Sequence, residues 1–146
     1  MSAARTVTAL AAEPPEQVWA CLADFAGLSR WASRVSHSAP LTEPARGTGA
    51  ERRVQIGREA LRERVLLWDE PRRLVYTVEG LPAVVRRVVT TWELTAEGDG
   101  TRIRLTSDVT TRPPLAARLV ARRVARENQH LADDLSTRAH TAEATP

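Results

Sequence analysis

The stretch TTWELTAEGDGTRIRL, residues 90–105, contains two runs of alternating polar and apolar residues on either side of a glycine-rich turn. Alternation with a period of two is typical of a half-buried β-strand, and Glu97-Gly98-Asp99-Gly100 has the composition of a hairpin loop. An antiparallel hairpin closed over residues 96–101 is therefore predicted, with its apolar side chains on one face. The expected facing pairs are Trp92 with Leu105, Thr90 with Ser107, and Val88 with Val109.

Similar strands are predicted on both sides of this hairpin. Short turns that contain Gly or Pro separate them, so that successive strands become antiparallel neighbours. Two short helices are expected between the first two strands, the first opened by Pro14-Pro15 and the second covering residues 28–33. The predicted strands cover residues 5–12, 35–41, 50–56, 59–68, 72–79, 84–95 and 102–111.

The last predicted element is one long amphipathic helix over residues 115–139. Its apolar side chains fall within about 100° of one another around the helix axis. A sheet with one apolar face and a helix with one apolar stripe bury each other when the sheet curls around the helix. We therefore expect an α+β fold, a seven-stranded antiparallel sheet wrapped around a long C-terminal helix, with one domain over residues 1–140 and a flexible tail at 141–146. The stripe consists of Ala117, Val120, Ala121, Val124, Leu131 and Leu135, and Arg118, Arg122 and Arg126 project from the far side.

The composition excludes several classes of protein. All 21 basic residues are arginine, which removes Schiff-base chemistry and phosphate-loop lysines. One cysteine and three scattered histidines provide neither a disulfide nor the spacing of metal ligands, so no metal and no cofactor are expected. The net charge is +3, but the arginines are interleaved with 18 acidic residues, which argues against a nucleic-acid partner. No apolar run is long enough for a membrane span or a secretory signal, and a cytoplasmic protein is expected.

Short motifs in chain order are AEPPEQVW at 12–19, DF at 24–25, Trp31, GTGA at 47–50, ERV at 63–65, WDEPRRLVY at 68–76, TWEL at 91–94 and GTR at 100–102. This ordered set resembles the START-like, polyketide cyclase/dehydrase superfamily, also called SRPBCC or helix-grip proteins, and a bacterial member is expected. The resemblance implies a hydrophobic cavity between the sheet and the last helix. Members bind lipids, polyketides, hormones or other apolar molecules, and a minority catalyse cyclisation or dehydration.

Strand parity indicates which side chains would line such a cavity. The parity places Glu63, Val78 and Arg86 in one row, where the Glu63 and Arg86 side chains would meet as an ion pair. The alternative is a pair at the water-exposed rim, or a bulge that turns one of the two side chains outward. On the helix, Asn128 places an amide within the apolar stripe, where it bonds a ligand, a loop or an ordered water. The predicted ligand-binding residues are Tyr76, Val78, Arg86, Trp92, Glu63, Ala121, Val124 and Asn128.

Three functions remain open at this point. The first is binding of a small, mostly apolar molecule. The second is a polyketide cyclase or dehydratase that uses His37, Tyr76, Arg86 and Glu63 as acid-base and oxyanion groups. In it, arginine holds an enolate oxygen while histidine or glutamate moves a proton; the alternative for His37 is a satisfied or rim histidine, which is the commoner case. The third is a regulatory module that uses the basic outer face of the last helix. The expected partner is a small apolar molecule, and a homodimer is left open.

Overall fold

A computed structural model describes residues 2–144, which form seven strands and two α-helices. The strands are β1 (Ser2–Ala11), β2 (His37–Pro40), β3 (Glu51–Ile56), β4 (Glu59–Asp69), β5 (Arg73–Glu79), β6 (Val85–Glu97) and β7 (Gly100–Thr111). The helices are α1 (Pro15–Ala23) and α2 (Ala117–Ala144), with 3-10 helices at Phe25–Arg30 and Pro114–Ala116. The predicted order of elements is confirmed.

The predicted boundaries differ from the structure at two helices. Asp24 leaves helical backbone geometry and ends α1, and the second short helix then begins at Phe25 as a 3-10 helix rather than at residue 28. At the other end of the chain, α2 continues to Ala144, so the start of the predicted flexible tail is helical. Thr145 and Pro146 lie outside the described residues.

The hairpin of β6 and β7 has the register that its loop predicts. Trp92 lies opposite Leu105, and the other two expected pairs are also present. Gly98 in the loop has a φ of 60°, a conformation that costs glycine little and other residues more. The strand order in the sheet is β1-β7-β6-β5-β4-β3-β2, with every neighbouring pair antiparallel. The sheet of the predicted fold is thus confirmed in topology.

Helix α2 packs mainly on β1 and β7, at one side of the sheet. The residues that face the sheet include four fully or almost fully buried alanines, which allow the helix backbone to approach closely. They are Ala117, Ala121, Ala132 and Ala139. Within residues 2–144, none of the helices combines the length and the hydrophobicity that crossing a bilayer requires.

Enlarging one of these alanines should push α2 away from the sheet. Ala132 is 0% exposed, so we expect Ala132→Leu to lower the free energy of unfolding by about 1–3 kcal/mol through overpacking. The matched control is Ala125→Leu on the same helix, where the side chain is only partly buried and the loss should be clearly smaller. Urea denaturation of both variants measures the difference, and equal losses would contradict close packing at Ala132.

Candidate ligand-binding site

The apolar interior between the sheet and α2 is divided into three groups of buried side chains. The largest lies between α1, the middle of the sheet and the C-terminal half of α2. The second lies between the first 3-10 helix and the hairpin of β3 and β4, and the third lies between β6, β7 and the N-terminal half of α2. Buried apolar side chains thus fill the interior as separate groups rather than as one continuous group.

Four partly exposed side chains lie where these groups meet. Val78 contacts all three groups, and Trp31, Leu81 and Leu131 each contact two of them. Apolar side chains that pack against buried groups yet stay partly accessible to solvent are candidates for contact with an apolar ligand. We call these four residues the apolar junction.

A buried ion pair lies on the inner face of the sheet near the junction. Arg52 of β3 is opposite Glu63 of β4, and its Nε and Nη2 atoms donate to Oε1 of Glu63 at 2.8 and 2.7 Å. Nη1 of Arg52 donates to the carbonyl oxygen of Phe25 at 2.7 Å, and the guanidinium lies 3.8 Å from the Phe25 ring centroid. The two charged side chains are only 4% and 9% exposed, so each charge is neutralised by its partner rather than by water.

Tyr76 and Trp92 form the polar centre of the largest buried group. The indole Nε1 of Trp92 donates to the hydroxyl oxygen of Tyr76 at 3.1 Å, and both side chains are buried. Burial raises the pKa of the Tyr76 hydroxyl well above its usual value of 10.0, and the Glu63 carboxylate adds to the rise, while Arg52 opposes it. Tyr76 therefore stays protonated and is suited to donating a hydrogen bond, not to acting as a base.

Asn128 is buried in α2, as its place in the apolar stripe predicts. Its Nδ2 donates to Oγ of Ser107 at 2.8 Å, and the Ser107 hydroxyl is itself 2.8 Å from Oγ1 of Thr90. This chain of three polar groups joins α2 to β7 and β6. The partner of the amide is thus a hydroxyl of the sheet, which gives Asn128 a structural bond in the protein itself.

The indole nitrogen of Trp31 is the polar atom of the junction that lacks a partner. It is buried, and no group among residues 2–144 accepts its hydrogen. The ring packs edge-on against Trp92, with centroids 6.4 Å apart. The loop that follows is held to α2, because the Ser33 amide and hydroxyl both donate to Asp134 at 2.8 Å. The Trp31 N–H is therefore an unpaired donor that lies below the surface of the junction, on a segment held to α2.

Two of the predicted site residues lie outside the interior. His37 is exposed at the start of the edge strand β2, with Nδ1 3.5 Å from Nη1 of Arg53, which corresponds to the rim position left open for it. Arg86 is also exposed, because β6 has a bulge between Val85 and Arg87 that turns the extra residue off the inner face. Arg86 thus follows the alternative of an outward bulge, and both candidate catalytic residues face the solvent.

The cross-strand row predicted to contain Glu63, Val78 and Arg86 also has a different third member in the structure. Glu63 does lie opposite Val78, but Val78 lies opposite Val88 and not beside Arg86. The inward ion pair of Glu63 is real, and its partner is Arg52. Sequence reasoning missed Arg52, although it stands two residues before the buried Val54 and so shares its face.

The other predicted ligand-binding residues divide into two kinds. Val78 and Val124 are partly exposed to solvent. The rest are buried in contact with neighbouring side chains, and this set consists of Glu63, Tyr76, Trp92, Ala121 and Asn128. The interior behind the junction is therefore filled more completely than the prediction of an open cavity implied.

A large surface concavity of about 1000 Å³ lies elsewhere, between α1, the first 3-10 helix, the loop at 43–46 and the turn at Glu70-Pro71. Two of the four acidic side chains that line it have partners: Glu70 accepts from Nε1 of Trp19 at 2.7 Å, and Asp24 accepts from Arg30 at 2.6 Å. None of the predicted ligand-binding residues lines it. Among residues 2–144, no three His, Cys, Asp or Glu side chains are grouped so as to hold a metal ion.

Removing one member of the buried ion pair should lower the free energy of unfolding far more than removing both members. Arg52→Met leaves the Glu63 carboxylate buried without a cation, and we expect a loss of about 3–5 kcal/mol in the free energy of unfolding. The double variant Arg52→Met with Glu63→Leu should recover most of that loss. The control is Arg62→Met, which breaks the exposed pair with Glu79 at 2.9 Å and should change stability little. Guanidinium denaturation of the wild type, the two single variants and the double variant measures this, and a double variant no more stable than Arg52→Met would contradict the pairing.

The single tyrosine makes the Tyr76 environment directly measurable. Because the folded protein binds the hydroxyl proton more tightly than the unfolded chain, stability should be fully present below pH 10 and fall as the pH rises above it. Absorbance at the tyrosinate band should stay absent in the folded protein at pH 11 and titrate near pH 10 in urea. A folded-state midpoint near 10 would contradict the burial, and Tyr76→Phe supplies the blank.

A family model described as "Polyketide cyclase / dehydrase and lipid transport" matches residues 3–139. No curated protein sequence matches the chain. Among solved structures, the Zhui aromatase/cyclase from Streptomyces sp. R1128 is 20% identical with a TM-score of 0.80, over 96% of this chain and 94% of that one. A START superfamily protein from Mycobacterium smegmatis is 16% identical with a TM-score of 0.78, over 95% and 98% of the two chains.

Norcoclaurine synthase from Thalictrum flavum is also similar in structure, with 12% identity and a TM-score of 0.81 over 98% of this chain and 97% of that one. At these identities the structural likeness shows the fold alone, and the ordered motifs and the family model together cover almost the whole chain. The chain belongs to the polyketide cyclase/dehydrase and lipid transport family, with the helix-grip fold of its structural neighbours.

Proposed function

We propose that this protein binds a small, mostly apolar ligand at the apolar junction. The observation that carries the proposal is the junction itself: Val78, Leu81, Leu131 and Trp31 join three separate buried groups while staying partly accessible to water. A ligand that covers these side chains would remove apolar surface of both the protein and the ligand from water. Each Å² of apolar surface buried in this way stabilises the complex by about 25 cal/mol. The family description, which includes lipid transport, supports a ligand of this class.

The unpaired donor of Trp31 gives the ligand one polar requirement. Its N–H is already desolvated in the protein, so an acceptor oxygen of the ligand would restore a hydrogen bond once the side chains that cover the N–H move aside. The ligand that fits best is thus an apolar molecule with a carbonyl, ether or hydroxyl oxygen. Such a molecule satisfies both the apolar walls and the single donor.

The buried charges favour binding over cyclase chemistry. The Arg52 guanidinium is already engaged by Glu63 and by the Phe25 carbonyl, which leaves its charge neutralised before any enolate oxygen could develop. Tyr76 is held neutral, and His37 and Arg86 face the solvent. The cytoplasmic location, the homodimer and the absence of a nucleic-acid partner stay predictions.

Filling the junction should abolish binding of an apolar probe. We expect Nile red, a neutral dye with a carbonyl oxygen, to become fluorescent with the wild-type protein and to lose at least about tenfold in affinity with Val78→Trp or Leu131→Trp. Val75→Trp is the matched control, because Val75 lies on the opposite face of the same strand as Val78. Trp31→Phe removes only the donor and should cost about two- to tenfold.

Circular dichroism and Tm accompany each variant, so that loss of binding is separated from loss of fold. The proposal is overturned if Val75→Trp and Val78→Trp bind the dye equally while both remain folded. Absence of dye binding to the wild-type protein would also overturn it.

A further inference from the structure

Two leucines at the start of the C-terminal helical region project into solvent. Leu115 is 92% exposed and Leu119 is 70% exposed, the highest values among the large apolar side chains of residues 2–144. Single exposed leucines are common, but two that are almost completely exposed and lie about one helical turn apart form an apolar tip. Neither leucine belongs to the apolar junction.

The two leucines begin a stripe that continues with arginines. At about 100° per residue, Leu119, Arg122 and Arg126 of α2 lie within about 60° of one another. Leu115 stands four residues before Leu119, in the 3-10 helix that leads into α2. The buried Ala117 and Ala121 point toward the sheet, so this stripe runs along the outer face of α2. Exposed leucines followed by arginines are typical of amphipathic helices that lie in the interface of a lipid bilayer.

The charges around the tip have one sign. Residues 109–126 contain five arginines and no acidic residue. Arg86 and Arg87 lie close by, because Arg87 pairs with Thr110 and the amide of Arg112 donates to the carbonyl of Val84 at 2.9 Å. Among the described residues, none of these seven arginines forms a salt bridge, although seven arginines elsewhere do. The region therefore carries an excess of positive charge, and the nearest acidic residue along α2 is Glu127, which pairs with Arg34 and interacts with Arg123.

Two arginines of the stripe also line a concavity. A groove of about 300 Å³ between β1 and α2 is bounded by Arg5, Arg122 and Arg126, with Val7, Ala125 and Gln129 as its other walls. All three arginines are exposed, and no carboxylate lines the groove. Three guanidinium groups around one small concavity match the charge and the hydrogen-bonding geometry of a phosphate group.

We propose that this face, formed by the leucine tip and the arginines of α2, docks on the surface of an anionic lipid bilayer. Leu115 and Leu119 enter the headgroup region, where apolar side chains leave water, and Arg122 and Arg126 with Arg5 bind lipid phosphates. The docking is peripheral, along the outer face of α2. It does not depend on the ligand proposed for the junction.

An anionic bilayer can bind both the leucines and the arginines of this face, whereas other anionic partners match the arginines alone. Nucleic acid offers phosphates to the arginines, but it leaves Leu115 and Leu119 in water. The charge of an acidic protein would match the arginines, yet a tip that projects this far needs a preformed groove on that protein. A fluid headgroup layer accommodates a projecting leucine without one. The two exposed leucines therefore favour a bilayer over nucleic acid or an acidic protein as the partner.

Vesicle sedimentation of the full chain tests the proposal. We expect the protein to sediment with vesicles of equal parts phosphatidylglycerol and phosphatidylcholine, to remain in solution with pure phosphatidylcholine, and to be released as salt rises. Arg122→Gln with Arg126→Gln should weaken binding about 30-fold. Leu115→Gln with Leu119→Gln should weaken it about tenfold or more while leaving the net charge unchanged.

Matched variants distinguish this face from general charge and general hydrophobicity. Arg58→Gln with Arg104→Gln removes the same charge from exposed positions elsewhere, and Leu10→Gln with Leu41→Gln removes two other exposed leucines; both should bind vesicles as the wild type does. Equal binding to both kinds of vesicle overturns the proposal. So does a leucine variant that binds normally when the arginine variant fails, since that result indicates a contact with any polyanion, such as an acidic protein or a nucleic acid. Nile red binding by the docking variants shows independently that the junction is intact.

Discussion

Helix α2 covers only one side of the inner face of the sheet, and this placement determines where a site can form. The helix packs on β1 and β7, so the inner face of β3, β4 and β5 must be covered by other elements. The first 3-10 helix and the loop that carries Trp31 provide that cover. Short elements bury less surface than a long helix does, and the interior is therefore divided into three groups that meet at Val78, Leu81 and Leu131.

Most of the fold could be predicted because its strands carry one apolar face. A period of two is easy to count between well-marked turns, and the Gly98 hairpin sets the register of its two strands within one residue. The long apolar stripe of α2 and the apolar face of the sheet can then both be buried only when the helix packs against that face. The resemblance to a known family rested on motifs in the same order, and it agreed with this reading of the periodicity.

The candidate site could be predicted less well, because parity counting fails at bulges. The bulge at Arg86 turns that side chain outward, and a second bulge between Val65 and Leu67 brings Trp68 to the inner face opposite Leu74. Neither bulge has a glycine or proline to mark it in the sequence. Arg52 was missed for a different reason. It stands between two other charged residues, a pattern that is typical of a solvent-exposed strand. Its side chain is buried because it pairs with the Glu63 carboxylate on the neighbouring strand, a partner that the local sequence does not reveal.

The contact of Arg52 with the carbonyl of Phe25 has a consequence for the order in which the chain assembles. The guanidinium bonds a neighbouring strand, but it also bonds a segment 27 positions earlier in the chain. Its charge can leave water only after the β3–β4 hairpin and the first 3-10 helix have come together, since an earlier burial would leave donors unpaired. We therefore expect this end of the molecule to order late in folding, so that its contacts slow unfolding more than they speed folding.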